Sequence, residues 1–375
     1  MLSRNRSMAQ RGFTLIELLI TVVLSSLVGV LIYTVFISQT EAYRQQADMG
    51  TMQQNLRIAM EMVTRDVGSA GFGMAGDGGT WGLDGQDGQP NVPLYGIRII
   101  DDWLTAGPDA IEMMMMSPDR NNWGFTSNEV ARHRCDTETI TFTPSYAAAA
   151  GLFDSSTSTN RIMCFSPVGR LGRPASYLWS VAGVGDASAG TVPITAGTQT
   201  DYTAQCNRGL PWMMACGPVR HVAYYIDSND TDGFGIGSAA LPVLYFVPDL
   251  GASQGIYPSA TDIPVALGIE DLQFQTCEAG TSVDCELDSS WTPGYDLTGT
   301  SAWDNLGGIR VNMTARTIRP DLNRVSVSSP IDIDPLDFTI AASANLDGYH
   351  RRVARTEVKT RNSIGAWQMM QSQAF

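Results

Sequence analysis

The sequence predicts an α+β chain in which one long N-terminal helix, its first half apolar enough to cross a membrane, is followed by a mainly antiparallel β head with extra inserted segments. Three observations carry this. Phe13–Ile37 holds a single acidic or basic residue, Glu17, and no proline. From Met49 to Val67 apolar side chains recur every three or four residues. Beyond Pro90 the pattern changes to short β-branched or aromatic runs bounded by Gly, Pro, Asn or Asp.

The first element begins after a basic leader. Arg4, Arg6 and Arg11 precede the apolar run with no acid before Glu17, which keeps that end in the cytoplasm and sends the remainder across the membrane. At ~1.5 Å per residue the run spans a hydrocarbon core of ~30 Å. A secretory signal places its small-residue cleavage site after the apolar region. Here the small residue, Gly12, stands before it, so cleavage at Gly12 leaves the helix on the mature chain with Phe13 as its first residue. Glu17 lies four positions after Phe13, on the same helical face. A carboxylate at bilayer depth is costly unless paired, and the α-amine of Phe13 on a neighbouring copy would pair with it.

Gly12-Phe13-Thr14-Leu15-Ile16-Glu17 resembles the processing signal of type IV pilins and type II secretion pseudopilins. The resemblance implies a type IV pilin-like fold, cleavage after Gly12 by a prepilin peptidase and N-methylation of Phe13. Glu17 is then the assembly residue.

The helix is expected to continue as an amphipathic segment. Met49, Met52, Leu56, Ala59, Met60, Val63 and Val67 form an apolar stripe, with Arg44, Gln45, Gln53, Gln54 and Arg57 on the other faces. Phe13–Val67 is then one helix of about 80 Å, half in lipid and half packed on the head. A soft-metal role for the methionines is the alternative to core packing, and the helical spacing favours packing.

The expected boundaries are a cytoplasmic leader at 1–12, the helix at 13–67 (13–37 transmembrane or fibre core, 38–67 amphipathic), a Gly/Asp-rich connector at 68–94 and a β-rich head at 95–375. Strands are expected at Tyr95–Ile100, Ala110–Met116, Thr139–Thr143, Arg161–Phe165, Tyr177–Val184, Val219–Ile226, Val243–Val247, Leu272–Gln275, Gly308–Arg316 and Arg351–Arg361. A short helix is expected at Ile263–Glu270. No internal repeat is visible.

Charge is uneven along the 375 residues. Residues 72–304 hold 27 acidic and 9 basic side chains, a net −18 that exceeds the −14 of the whole chain. Such a surface repels phosphate, so nucleic acid is not an expected partner.

Three further stretches, Leu241–Asp249, Val265–Gln275 and His350–Asn362, are similar to the PilW group of minor pilins and to the J-type minor pseudopilins of type II secretion. Residues 72–218 match neither. The resemblance implies a minor pilin that helps prime assembly near the fibre tip. Its partners would be the prepilin peptidase, the major and other minor pilins, the inner-membrane assembly platform and membrane lipid. Before assembly it would sit in the inner membrane by a single pass, head periplasmic; after assembly, in the fibre at the cell surface. Two other functions fit the same residues: a type II secretion minor pseudopilin, and a fibre-displayed adhesin using residues 72–218.

Cys135, Cys164, Cys206, Cys216, Cys277 and Cys285 all lie beyond the membrane run, in an oxidising compartment, so disulfides are expected. Fifteen connectivities are possible. Closeness in sequence favours Cys206–Cys216 and Cys277–Cys285, leaving Cys135–Cys164. A zinc site is the alternative, but no C-x-x-C occurs and His133 is an isolated imidazole.

No cofactor is expected. Asp227-Ser-Asn-Asp-Thr-Asp-Gly233 half-matches a calcium loop through Asp227, Asp230 and Asp232, but Ser228 stands where the first Asp belongs and no Glu follows at the twelfth position, so an acidic turn is the preferred reading. Catalysis has no support. Only His133, His221 and His350 are available as imidazole bases, no G-x-S-x-G, P-loop or H-E-x-x-H is present, and acid pairs such as Asp101-Asp102 and Glu270-Asp271 arise readily in so acidic a chain.

Overall fold

The structure is a computed structural model, and it describes residues 14–74, 80–82, 96–100, 107–117, 124–125, 139–156, 161–166, 175–195, 215–227, 241–248, 262–278, 291–293, 306–320 and 349–359. Compact units are formed by Met1–Thr51 and by Met52–Phe375. In chain order the elements are α1 (Leu15–Ser69), β1 (Thr80–Gly82), β2 (Ile97–Ile100), β3 (Ala110–Met116), β4 (Gly124–Phe125), β5 (Thr139–Thr141), α2 (Ala147–Ala150), β6 (Arg161–Ser166), β7 (Ala175–Ser180) and β8 (Thr191–Pro193). They continue with β9 (Ala215–Asp227), β10 (Val243–Val247), β11 (Ile263–Leu267), β12 (Ile269–Glu278), β13 (Thr292–Pro293), β14 (Leu306–Arg316) and β15 (Arg351–Val358). The expected architecture, a long apolar N-terminal helix and an antiparallel β head, is present.

From Leu15 to Ile37 the apolar side chains of α1 are exposed. From Met52 onward the expected stripe is the buried one: Met52, Leu56, Ala59, Met60, Val63 and Val67 enter the main core, while Gln53, Gln54 and Arg57 are exposed. The helix ends where glycine supplies the left-handed backbone, at Gly71 with φ 73°. Residues after it dock on β3, the Gly71 amide donating to Met114 O (2.9 Å) and the Met116 amide to Phe72 O (2.8 Å).

The larger sheet has nine strands. Its path runs β1-β7-β6-β9-β10-β11, with β3 and β4 also on β9 and β2 on β3. The 13-residue β9 is its spine, because its first residues pair with β6 and its last with β10 while β3 runs along its middle. Among the described residues all pairings are antiparallel except β1 on β7, which is parallel. That strand lies inside the stretch expected to be a connector, and its pairing joins residues almost a hundred positions apart, which local sequence does not encode.

A second sheet has the order β13-β12-β14-β15. Its inner face gives Leu272, Phe274, Ile309, Val311 and Met313 to the core shared with α1, β3 and β9. Asp109, fully buried, joins the two sheets: its amide donates to Leu272 O (2.8 Å) and its carboxylate accepts from the Phe274 amide (2.9 Å). The outer face is polar. Gln273 and Asn312 stand beside Arg355, and Gln275 and Arg310 beside Glu357. Arg310 is buried, with its guanidinium 4.3 Å above the Trp291 ring and 2.7 Å from Glu357. Arg351 makes two hydrogen bonds to Glu270, at 2.6 and 3.0 Å.

The expected helix at Ile263–Glu270 is absent. The segment is the whole of β11 and the first two residues of β12, turned between them by Gly268 at φ 77°. A Cβ there would stand 2.6 Å from Arg316 O, so glycine is required both by conformation and by room. Val265, Ala266 and Ile269 are spaced as a helix would space them, and the turn rests on that one glycine.

A two-stranded sheet, β5 with β8, forms a third layer with α2. Ile140, Phe142, Phe153 and Val192 pack there against Ile162, Cys164 and Trp179 of β6 and β7.

Candidate assembly site

Gly12 and Phe13, the expected processing pair, lie outside the described residues. The described chain begins with Thr14, and α1 starts at the next residue. The Glu17 amide donates to Thr14 O (3.1 Å) and to the Thr14 hydroxyl (3.4 Å), and the Leu18 amide to Thr14 O (3.2 Å). Thr14 therefore caps the helix. Thr14-Leu-Ile-Glu17 also fits the S/T-x-x-E pattern of a capping box. Sequence reasoning took Glu17 as an intramembrane charge and missed Thr14; the S/T-x-x-E spacing was the available signal.

Glu17 sits in the first turn of α1 and is exposed. The partial positive charge of a helix N-terminus favours a carboxylate there. The surrounding surface is predominantly apolar, with Leu15 at 80 % and Ile16 at 67 % exposure and the residues through Ile37 exposed as well, a few hydroxyls such as that of Thr21 among them.

Three hydroxyls within this stretch are satisfied inside the helix. The Thr21 hydroxyl donates to Leu18 O (2.8 Å), Ser26 to Val23 O (2.8 Å) and Thr34 to Leu31 O (2.8 Å). No water is needed to pair those hydroxyls, which suits a helix surrounded by lipid or by other apolar helices. Arranged so, α1 offers an apolar packing surface with one anion close to its start.

In the head, Cys164 is bonded to Cys216. This corrects the expected Cys206–Cys216 and Cys135–Cys164 pairs. Closeness along the chain was the wrong guide, since β6 and β9 lie side by side with Cys164 directly opposite Cys216 and their Cα atoms 4.0 Å apart. Cys277 is disulfide-bonded too, whereas Cys135, Cys206 and Cys285 lie outside the described residues. Asp227 is the last residue of β9; its expected calcium-loop companions, Asp230 and Asp232, also fall outside. Among the described residues no three His, Cys, Asp or Glu side chains gather as metal ligands.

Residues 7–33 match the prokaryotic N-terminal methylation motif. No curated protein matches the chain. Among solved structures the chain is similar to a type IV-like pilin from Thermus thermophilus, with 10% identity, a TM-score of 0.34 and coverage of 83% of this chain and 96% of that one.

Proposed function

We propose that the chain is a prepilin-like fibre subunit, stored in the inner membrane by its N-terminal helix and then built into a pilus. A prepilin peptidase cuts after Gly12 and Phe13 is methylated on its new amine. The apolar face of residues 13–37 leaves lipid and packs among the same helices of other pilins on the assembly platform. Glu17 neutralises the α-amine of the adjacent subunit, which fixes the axial register because an unpaired charge in that apolar core is strongly disfavoured. Within such fibres the chain acts as a minor pilin of the PilW kind.

The observation that carries this reading is the methylation motif at residues 7–33, ending in a helix whose capped first turn holds Glu17 amid a predominantly apolar surface. Glu17→Ala tests it. The variant is expected to be cut normally and to accumulate in the membrane, with incorporation into fibres lowered by tenfold or more, a ratio of order 1.4 kcal/mol or greater. Incorporation at the wild-type level would contradict the pairing.

A further inference from the structure

The head carries two exposed surfaces of opposite character. The first is β15, the end strand of its sheet, which among the described residues pairs with β14 alone. Arg352, Arg355, Glu357 and Lys359 are exposed on it. Glu357 is held by the buried Arg310, so the strand presents a positive rim. Residues 349–361 contain Arg351, Arg352, Arg355, Lys359 and Arg361 against Glu357 as the single acid.

The second surface is a corner formed where α2 and residues 151–156 meet residues 182–190. Asp154 bridges Val184, and the Gly185 amide donates to Phe153 O (2.9 Å). Val184 is 69 % exposed there, beside the part-exposed Leu152 and Tyr146, an unusual display of apolar side chains for this head. Asp154 and Asp186 border it. The amide and hydroxyl of Ser156 donate to Asp154, and those of Ser188, with the Ala189 amide, to Asp186, holding both carboxyls below their ordinary range. This corner packs on β6 and β7, whereas β15 lies beyond β12 and β14.

We propose that the rim of β15 docks on this apolar, acid-bordered corner of a second copy of the chain. Charge complementarity selects the occupant. The chain is strongly acidic over residues 72–304 and basic at β15, so a second copy offers the sign that β15 needs. Each copy then holds one donor and one acceptor surface, a heterologous contact and not a two-fold one. Copies of the chain that meet in a fibre would be joined by it, and the inference rests to that extent on the pilus reading.

The test uses the full-length chain in detergent micelles, with two distinguishable labels, and measures association between copies. R352E/R355E/K359E is expected to weaken it about tenfold by removing exposed ion pairs, and V184K/A187K by a similar factor by setting like charge against the rim. In a mixture the unaltered rim of the corner variant meets the unaltered corner of the rim variant, so association between unlike copies is expected to regain most of the lost affinity while neither variant associates well with itself. Raising salt weakens the wild-type contact. All five positions are exposed, so both variants should keep the wild-type melting temperature; should the triple variant not fold, R355Q/K359Q replaces it with an expected loss of about threefold. Association untouched by either reversal, or not regained on mixing, overturns the inference. The N-terminus of the same material is measured alongside: a correctly cut chain lacking the contact sinks this inference alone, while an uncut chain sinks the pilus reading and leaves the contact to be judged by its own numbers.

Discussion

The hydroxyl of Tyr224 on β9 donates a 2.7 Å hydrogen bond to the carboxylate of Asp66 near the end of α1, and both side chains are buried. Burial, then the neighbouring Asp66, push the tyrosine well above its ordinary range, so it remains a donor. Arg65 reaches the other carboxylate oxygen at 3.1 Å. This ties the amphipathic end of the helix to the central strand through a polar contact inside an apolar layer, where an unpaired partner is costly.

Asp66→Ala is therefore expected to destabilise the head by about 2–3 kcal/mol, because it strands a buried hydroxyl. Tyr224→Phe should cost about 1–2 kcal/mol. In a double-mutant cycle by denaturant unfolding the pair should show coupling of roughly 1 kcal/mol or more. Additive losses would mean that the contact contributes nothing of its own.

The Cys164–Cys216 bond closes a loop with a sequence separation of 52. Replacing both cysteines with alanine should cost about 2–4 kcal/mol, and lower the melting temperature by roughly 5–10 °C. Peptide mapping without reductant should recover the two cysteines linked. A Cys206–Cys216 peptide would contradict the strand register.

Asp271 is buried on the outer face of β12, and desolvation pushes its carboxyl up to about 6 from 3.8. Hydrogen bonds from Gln273 and the Leu272 amide oppose the shift, and Glu270 adds to it. The folded state thus holds a proton that the unfolded chain has released. Between about pH 4 and 6 the native form binds more protons, and this group's contribution to stability falls as pH rises, by about 2–3 kcal/mol in total. Asp271→Asn keeps an acceptor for Gln273 and removes the charge. It should be more stable than wild type at pH 8, and equal to it at pH 4, in parallel thermal melts. Equal stability at both values would refute the assignment.

Much of this fold was legible because its signals are local. Val243–Val247 was delimited from its β-branched and aromatic composition, Ala110–Met116 was legible as a short apolar run, and the stripe from Met52 to Val67 gave the buried face of α1. What stayed hidden depends on partners distant in sequence. Cys164 meets Cys216 only because β6 and β9 are neighbours, β1 is stabilised by β7, and β4 and β13 are two-residue segments created by what they lie beside. Gly268 defeated a helical spacing through one left-handed residue. At the assembly site Glu17 was found because a lone charge in an apolar run stands out, while the cap at Thr14 was overlooked beside it.

The chemical identity of the first residue of the mature chain decides whether Glu17 has an amine to pair with. Intact-mass and N-terminal peptide mass spectrometry of the protein purified from assembled fibres reads it directly. The expected result is a chain beginning at Phe13 with a methylated α-amine. A chain beginning at Met1, or at any position beyond Ile37, would contradict the account, because no amine would then stand four residues before Glu17 at the start of the apolar helix.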